Sequence, residues 1–336
     1  MEGGSVVVHA VLIILAVLSS VLSEAFAAAA AGHRGIFPGV FHTTTWNTSE
    51  TFPIEASLDG WVDSTWIMLN VWSAGWLIYA FSTVLRRNVF GPVCCNPEIH
   101  PPSFYLIWIF INIARILWLC LWDRQYIFQA LAMKILIPFC CFAMLFISYR
   151  NLHLHGTWLA MNSPSETWYI RFMTQNGLAL YAAWTTIEAL VNFGVVLKYC
   201  AGFQDPPVST VVLTLLFVGL LLWFIFESFV FQKYILYTFS VYPVVILGLG
   251  AMFTKSYRFN NIPPNTIYCG FLMIVTTILN SIRLVAVCFY RETKKPLHLS
   301  KHSFPLTDSC ETVCKVEGQD GISGKSGVVN IQFSEN

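Results

Sequence analysis

Seven apolar stretches, at about 64–85, 103–122, 126–149, 170–197, 209–231, 235–253 and 266–290, are each long enough to cross a hydrocarbon core of roughly 30 Å as a helix. That feature restricts the chain more than any motif in it, and the expected fold class is all-α, a polytopic transmembrane helix bundle. Composition agrees: 56% of residues are hydrophobic and 11% are charged, where a soluble domain has roughly a quarter charged. A net charge of +1, with neither an arginine-rich arm nor a stacking platform, excludes nucleic acid as a partner class. Short connections such as Asp123-Arg124-Gln125 make the helices they join antiparallel neighbours, and Pro101-Pro102, Pro206-Pro207 and Pro263-Pro264 mark helix starts.

Ahead of these stretches, residues 6–22 form a further apolar run, followed by Ala25-Phe26-Ala27, an A-x-A step of the kind that ends a secretory signal. The expected organisation is a signal peptide at 1–27, an extracellular or lumenal segment at 28–63, a seven-helix domain at 64–290 and a disordered cytoplasmic tail at 291–336. No Lys or Arg precedes the apolar run, so an uncleaved first helix, giving eight spans, is the competing reading. Asn47-Thr48-Ser49 is a glycosylation sequon, which makes sense only outside the cytoplasm. Arg86, Arg87, Arg150, Lys233, Arg291, Lys294 and Lys295 fall on one side of the membrane, against Arg124, Lys198, Lys255 and Arg258 on the other. The richer set marks the cytoplasm. The N-terminus of the mature chain is then extracellular and the tail cytoplasmic, in an integral protein of the secretory pathway, at the plasma membrane.

Four charges inside apolar stretches belong to no loop: Arg115, Glu188, Glu227 and Arg283. At 1.5 Å per residue, Arg115 and Glu188 lie roughly 12 and 15 Å below one membrane face, and Glu227 and Arg283 roughly 9 and 12 Å from the other. A charge in hydrocarbon is costly unless matched, so Arg115 with Glu188 and Glu227 with Arg283 are the expected pairs. Most of the ten cysteines lie in or beside apolar runs, which argues against a disulfide framework. Cys94, Cys95 and Cys288 sit beside basic residues at span ends, where palmitoylation is the functional alternative to inert thiols.

The stretch 176–192 carries Tyr181, Trp184, Glu188 and Asn192 at steps of three and four, one face of a helix. A carboxyl, an amide and two aromatic rings on one stripe of a lipid-soluble segment form the best candidate for a working site. Tyr181, Trp184 and Asn192 match the spacing of a Pro-Tyr-x-x-Trp-x7-Asn pattern with Leu180 in place of proline, and Arg115 precedes Trp118 where a Leu-Asn-x-x-Trp pattern has asparagine. In these features the chain resembles the tryptophan-rich sensory protein family, which includes the translocator (peripheral benzodiazepine receptor) proteins. The resemblance covers roughly the first four to five stretches and implies a translocator-like five-helix core, here extended by two spans, that binds hydrophobic or amphipathic molecules such as porphyrins and sterols. Arg115 for asparagine and Glu188 for a small or apolar residue are the departures, and they fall at the pocket the resemblance implies.

The functional expectation is a multi-pass protein that binds or transports a small hydrophobic or amphipathic ligand of the sterol, tetrapyrrole or lipid class, with Tyr181, Trp184, Glu188 and Asn192 on one wall and Arg115 and Trp118 on another. A seven-span signalling receptor and a structural or adhesive membrane protein are the alternatives. Asp123-Arg124-Gln125-Tyr126 is similar to a receptor signature, but charge sorting puts it outside. The spans hold no clustered histidines, paired carboxylates or activated nucleophile, and His153 and His155 lack a third metal ligand nearby, so no enzyme, metal or cofactor is expected. Membrane lipid and the small apolar ligand are the expected partners, and a homodimer is compatible with the sequence.

Overall fold

The computed structural model describes residues 2–32, 37, 39–88, 91–230, 235, 237–259 and 262–293. The chain divides into the units Met1–Tyr290 and Arg291–Asn336. The tail expected to be disordered lies almost wholly outside the described residues, as do Lys233, Lys294 and Lys295. The first unit is an all-α bundle, and it is that of a multi-pass integral membrane protein: among the described residues seven helical segments are long and apolar enough to cross a bilayer.

Helix α1 (Glu2–Ala30) and the short α2 (Thr45–Thr51) precede α3 (Ser64–Leu85), which continues a 3-10 turn at Gly60–Asp63. Strands β1 (Arg87–Asn88) and β2 (Gly91–Pro92) form a small antiparallel hairpin before α4 (Pro102–Asp123) and α5 (Ile127–Leu154). Helices α6 (Gly156–Asn162), α7 (Pro164–Tyr169) and α8 (Asn176–Tyr199) follow, α7 and α8 joined by a π turn at Ile170–Gln175. Helix α9 (Pro207–Ile225) passes into a second π turn at Phe226–Val230, and α10 (Val241–Ser256) and α11 (Pro264–Thr293) complete the order. Proline opens α4, α7, α9 and α11, where its missing N–H costs nothing.

The seven long segments differ from the seven expected. Residues 4–30 are one of them, and α1 packs on α3 and α4. The 235–253 stretch instead yields α10, whose 16 residues reach about 24 Å at 1.5 Å per residue. The reason is the backbone before it. Asn176 donates from Nδ2 to the Tyr237 carbonyl (2.9 Å), accepts at Oδ1 from the Phe239 N–H (2.9 Å), and takes the Ser240 hydroxyl on its own carbonyl (2.8 Å). One buried amide thus supplies bonds that a helix would have made, as non-helical backbone inside a membrane bundle requires. The π turn before α8 is satisfied in the same way. A π turn leaves carbonyls without their usual partners, and the Trp72 indole N–H reaches Phe172 O (3.2 Å) and Met173 O (3.0 Å), while Asn176 Nδ2 also reaches Arg171 O (2.9 Å). Gly177 is required here: a Cβ at this position would lie 2.6 Å from Trp72 Cδ1.

The segment 42–56 laces one end of the bundle. His42 N and Thr43 N donate to Asp123 of α4, Lys198 and Tyr199 of α8 donate to Pro53 O, and Lys255 of α10 pairs with Glu50 at 2.6 Å. Glu55 joins the starts of α9 and α11, its N–H donating to Asp205 and its carboxylate accepting from Asn265. At the opposite end Arg86 pairs with Glu166, which also accepts from the Tyr79 hydroxyl (2.8 Å), and Asn151 donates to Ile99 O. Of the two sets of basic residues separated by sequence, Arg86 thus lies at one end of the bundle and Lys198 and Lys255 at the other.

His100 is buried at the Arg86 end, its ring tilted over Phe104 and its Nε2 3.2 Å from Ser148 Oγ; burial pushes its pKa down to about 3. A folded value below the unfolded one near 6.5 means that the unfolded chain takes up the proton first. Stability attributable to His100 is complete above about pH 6.5 and falls as pH drops towards 3, by at most about 1.4 kcal/mol per pH unit. Melting temperature in detergent, followed from pH 7 to pH 4, is expected to fall less steeply in His100→Phe than in the parent; parallel curves would show that this imidazole does not carry the effect.

Candidate functional site

Helix α8 is the central helix, packed against α3, α5, α9 and α10 and buried over most of its length. Small residues allow the close approach: a Cβ on Gly248 of α10 would lie 2.8 Å from Ile187 Cδ1. The polar stripe of α8 therefore faces protein, as the cost of a charge in lipid demands.

From that stripe a chain of alternating charges and indoles runs across four helices to α1. Lys134 of α5, 2% exposed, places Nζ 2.7 Å from Glu188 Oε2 and 3.5 Å above the centre of the Trp118 ring. Glu188 Oε1 accepts the indole N–H of Trp66 at 3.0 Å. The guanidinium of Arg115 lies 4.2 Å over the Trp66 ring and is paired with Glu24 of α1. Glu24 Oε2 accepts from Asn70 Nδ2 at 2.5 Å. Two acids and two bases thus alternate with no net charge, bridged by aromatic faces that attract cations.

This geometry corrects the expected Arg115–Glu188 pair. Their depths do match, but Trp66 stands between them, and each takes another partner: Glu24 for Arg115 and Lys134 for Glu188. Sequence reasoning missed both partners. Lys134 lies in the apolar stretch 126–149, so its signal is present in the sequence; Glu24 falls within the expected signal peptide. The second expected pair does form: Arg283 Nε donates to Glu227 Oε1 at 2.7 Å, and Tyr242 donates to Oε2 at 2.7 Å, with Glu227 wholly buried in the second π turn.

A cavity of about 600 Å³ opens beside the charge chain, walled by α1, α3, α4 and α8. Ile14, Val17, Leu77 and Phe81 give it an apolar lining, and Leu18, Val21 and Ile78, all exposed, mark its mouth between α1 and α3. Glu24, Asn70, Asn112 and Arg115 close its inner end. Trp108 donates its indole N–H to Ser20 Oγ at 2.8 Å, and Asn112 donates to the Trp108 carbonyl at 3.0 Å, so this polarity is largely satisfied within the wall. Two other cavities are built differently. One of about 870 Å³ among α5, α8, α9 and α10 is lined by residues such as Phe142, Ala183, Leu216 and Trp223, and one of about 350 Å³ lies at Arg86 and Trp158.

The expected site residues divide. Tyr181 and Arg115 line the first cavity, the Tyr181 ring standing edge-on to Trp66 (5.8 Å) and Trp108 (5.4 Å). Glu188 and Trp118 belong to the charge chain and do not line the cavity. Asn192 turns its Nδ2 to the Glu188 carbonyl at 2.9 Å, and Trp184 is buried with an indole N–H that meets no acceptor among the described residues. Asn47 is exposed on α2, Cys94 is buried, Cys95 is half-buried and Cys288 is exposed. No protein-family model, curated protein or solved structure matches the chain.

Removing one member of a buried ion pair costs about 3–5 kcal/mol, whereas replacing both by apolar residues is often near neutral. Glu24→Leu, which strands the buried Arg115, is expected to destabilise the bundle by about that amount, Arg115→Leu by less because the Glu24 side chain is 40% exposed, and the double variant to recover most of the loss, in thermal unfolding with purified protein. Arg115→Leu combined with Glu188→Leu is expected to be no better than the sum of the singles. Recovery in that second double variant instead would restore the pairing by depth.

Proposed function

We propose that the cavity between α1, α3, α4 and α8 binds a small, electrically neutral amphipathic molecule that enters sideways from the lipid. The observation that carries this is an apolar cavity of about 600 Å³ whose inner end is a self-compensated ion pair with amide and hydroxyl groups around it. An apolar pocket with a few convergent polar groups is the usual build of a small-molecule site. Because Arg115 already has Glu24, an anionic ligand would have to displace a carboxylate, while a hydroxyl can donate to Glu24 and accept from an amide without breaking the pair. Among the sterol, lipid and tetrapyrrole classes, this favours alcohols, a sterol or a monoacyl lipid with a free hydroxyl, over a tetrapyrrole with carboxylate arms. The translocator-like spacing of Tyr181, Trp184 and Asn192 supports the same reading, with Tyr181 alone of the three in the cavity wall.

Ser73 lines the cavity, and Ser73→Trp would fill it. Titration of the purified protein with sterol and monoacylglycerol, followed through tryptophan fluorescence, is expected to give saturable quenching that Ser73→Trp weakens at least tenfold and Trp184→Phe leaves within twofold. Absence of any saturable response to sterols, monoacylglycerols, fatty acids and porphyrins would remove the proposal.

The reading also requires that α1 stays in the protein, since Glu24 and one cavity wall belong to it. Retention would place the first residues at the Arg86 end, on the cytoplasmic side by charge bias, and Asn47 on the extracellular or lumenal side; the N-terminus then differs from the one expected after cleavage. Two measurements follow. Intact mass of the purified protein is expected to include residues before Ala28, and Asn47→Gln is expected to abolish a glycosidase-sensitive mobility shift. A chain that starts at Ala28 would exclude this cavity as the site.

A further inference from the structure

Helices α5 and α9 both pack on α8, and the cavity of about 870 Å³ runs between them. Its floor is α8, where Ala179, Ala183 and Thr186 follow one face at steps of four and three and are too short to fill the space. Phe146 of α5 and Leu222 of α9 line it and are exposed, so it opens sideways to lipid as a groove. The hydroxyls of its wall are already engaged: Thr186 donates to the Ala182 carbonyl (2.7 Å), and the Tyr149 and Thr238 hydroxyl oxygens lie 2.6 Å apart.

One charge breaks this apolar lining. Arg150, the last of the α5 residues in it, is exposed, and among the described residues its guanidinium makes no ion pair or hydrogen bond. Its neighbour Asn151 donates to Ile99 O, which puts this end of the groove with Arg86, on the cytoplasmic side by charge bias. Glu227, next to the lining residue Phe226, is wholly buried and paired with Arg283, so it turns no free acid toward the groove. From Ala179 to Leu190 the groove follows α8 for about 16 Å at 1.5 Å per residue, half of a hydrocarbon core of roughly 30 Å. It is therefore one leaflet deep. Over that length its mean cross-section is about 50 Å², below the roughly 80 Å² of a helix 10 Å across, so it suits alkyl chains better than a partner helix.

We propose that this groove holds an anionic phospholipid of the cytoplasmic leaflet, with an acyl chain along α8 and the headgroup phosphate at Arg150. Depth, apolar lining and a single uncompensated cation at headgroup level each match that molecule. An acyl chain of one leaflet ends at the bilayer midplane, as the groove does, and a headgroup with net negative charge gives Arg150 more than a zwitterionic one. Anionic lipids concentrate in the cytoplasmic leaflet, and one arginine near that surface strengthens their binding about fivefold. The groove shares no lining residue with the cavity beside α1, so this inference stands whether or not that cavity binds an alcohol.

The test uses the full chain in phosphatidylcholine vesicles that carry a trace of phosphatidylserine with a photoreactive diazirine on its acyl chain. Adducts are expected by mass spectrometry within 142–150 and 215–226, at least fivefold more than from the same diazirine on phosphatidylcholine. Arg150→Gln is expected to bring the two lipids within twofold of each other. A Cβ on Gly219, which lines the groove, would meet nothing within 4 Å. Gly219→Phe therefore puts a ring into the groove without a backbone clash and is expected to cut adducts from both lipids at least tenfold, while Ser73→Trp leaves them within twofold. Equal labelling by the two lipids, a preference that survives Arg150→Gln, or adducts that Gly219→Phe leaves unchanged would each overturn the proposal. So would loss of the label on adding an equimolar amount of oleate, which would assign the groove to a free fatty acid. The lipid preference and the adduct map are read on the unaltered chain, so the test stays decisive should a variant fail to fold.

Discussion

The alternating chain from Glu24 through Arg115, Trp66 and Glu188 to Lys134 is the constraint around which the first half of the bundle is arranged. Each ion in it would cost several kcal/mol alone in a low-dielectric interior, so no member can move without its neighbour. The members come from α1, α3, α4, α5 and α8, so the chain ties five helices together. Trp66 does the joining that direct contact does not: its N–H serves the carboxylate and its face serves the guanidinium. The chain therefore fixes how α1 and α3 lie on α4, which defines the cavity between them.

The second half of the bundle is organised by irregular backbone. Two π turns and the non-helical residues 237–240 interrupt the helices; side chains from elsewhere bond the backbone at two of these breaks, Trp72 and Asn176 at the first π turn and Asn176 again before α10, while at the second π turn Arg283 and Tyr242 hold the Glu227 carboxylate. The Asn176 side chain alone makes three such bonds, and its carbonyl takes the Ser240 hydroxyl as well. Its position at the start of α8 links the π turn to α10, so the central helix is fixed from both directions.

Length and hydropathy made the helix bundle legible, because a bilayer core sets a minimum length that composition alone meets. They misjudged residues 235–253, since hydropathy reports how apolar a stretch is and carries nothing about an amide 60 residues away that replaces its helical bonds. Charge depth was legible as well: Glu227 and Arg283 pair as their depths indicate. The same reasoning failed for Arg115 and Glu188, where depth gives height in the membrane without azimuth and cannot see an indole inserted between two ions. The helical period placed Tyr181, Trp184, Glu188 and Asn192 on one stripe, yet α8 is buried nearly all round. A stripe on a central helix meets different neighbours at each turn, which is why Tyr181 meets the cavity and Glu188 meets Lys134.

The position of Arg115 joins cavity and charge chain in one group. Its guanidinium lines the cavity, pairs with Glu24 and lies on the face of Trp66, whose N–H is bonded to Glu188. A molecule that hydrogen-bonds Glu24 draws negative charge away from the guanidinium and increases the cationic pull on the indole. The polarised indole N–H then binds the Glu188 carboxylate more strongly, in competition with Lys134. Occupancy of the cavity by the proposed ligand would in this way reach the Glu188–Lys134 pair on α8 and α5. An asparagine in place of Arg115 would carry no charge to transmit, so under the proposed function Arg115 is the residue that would couple the two sites.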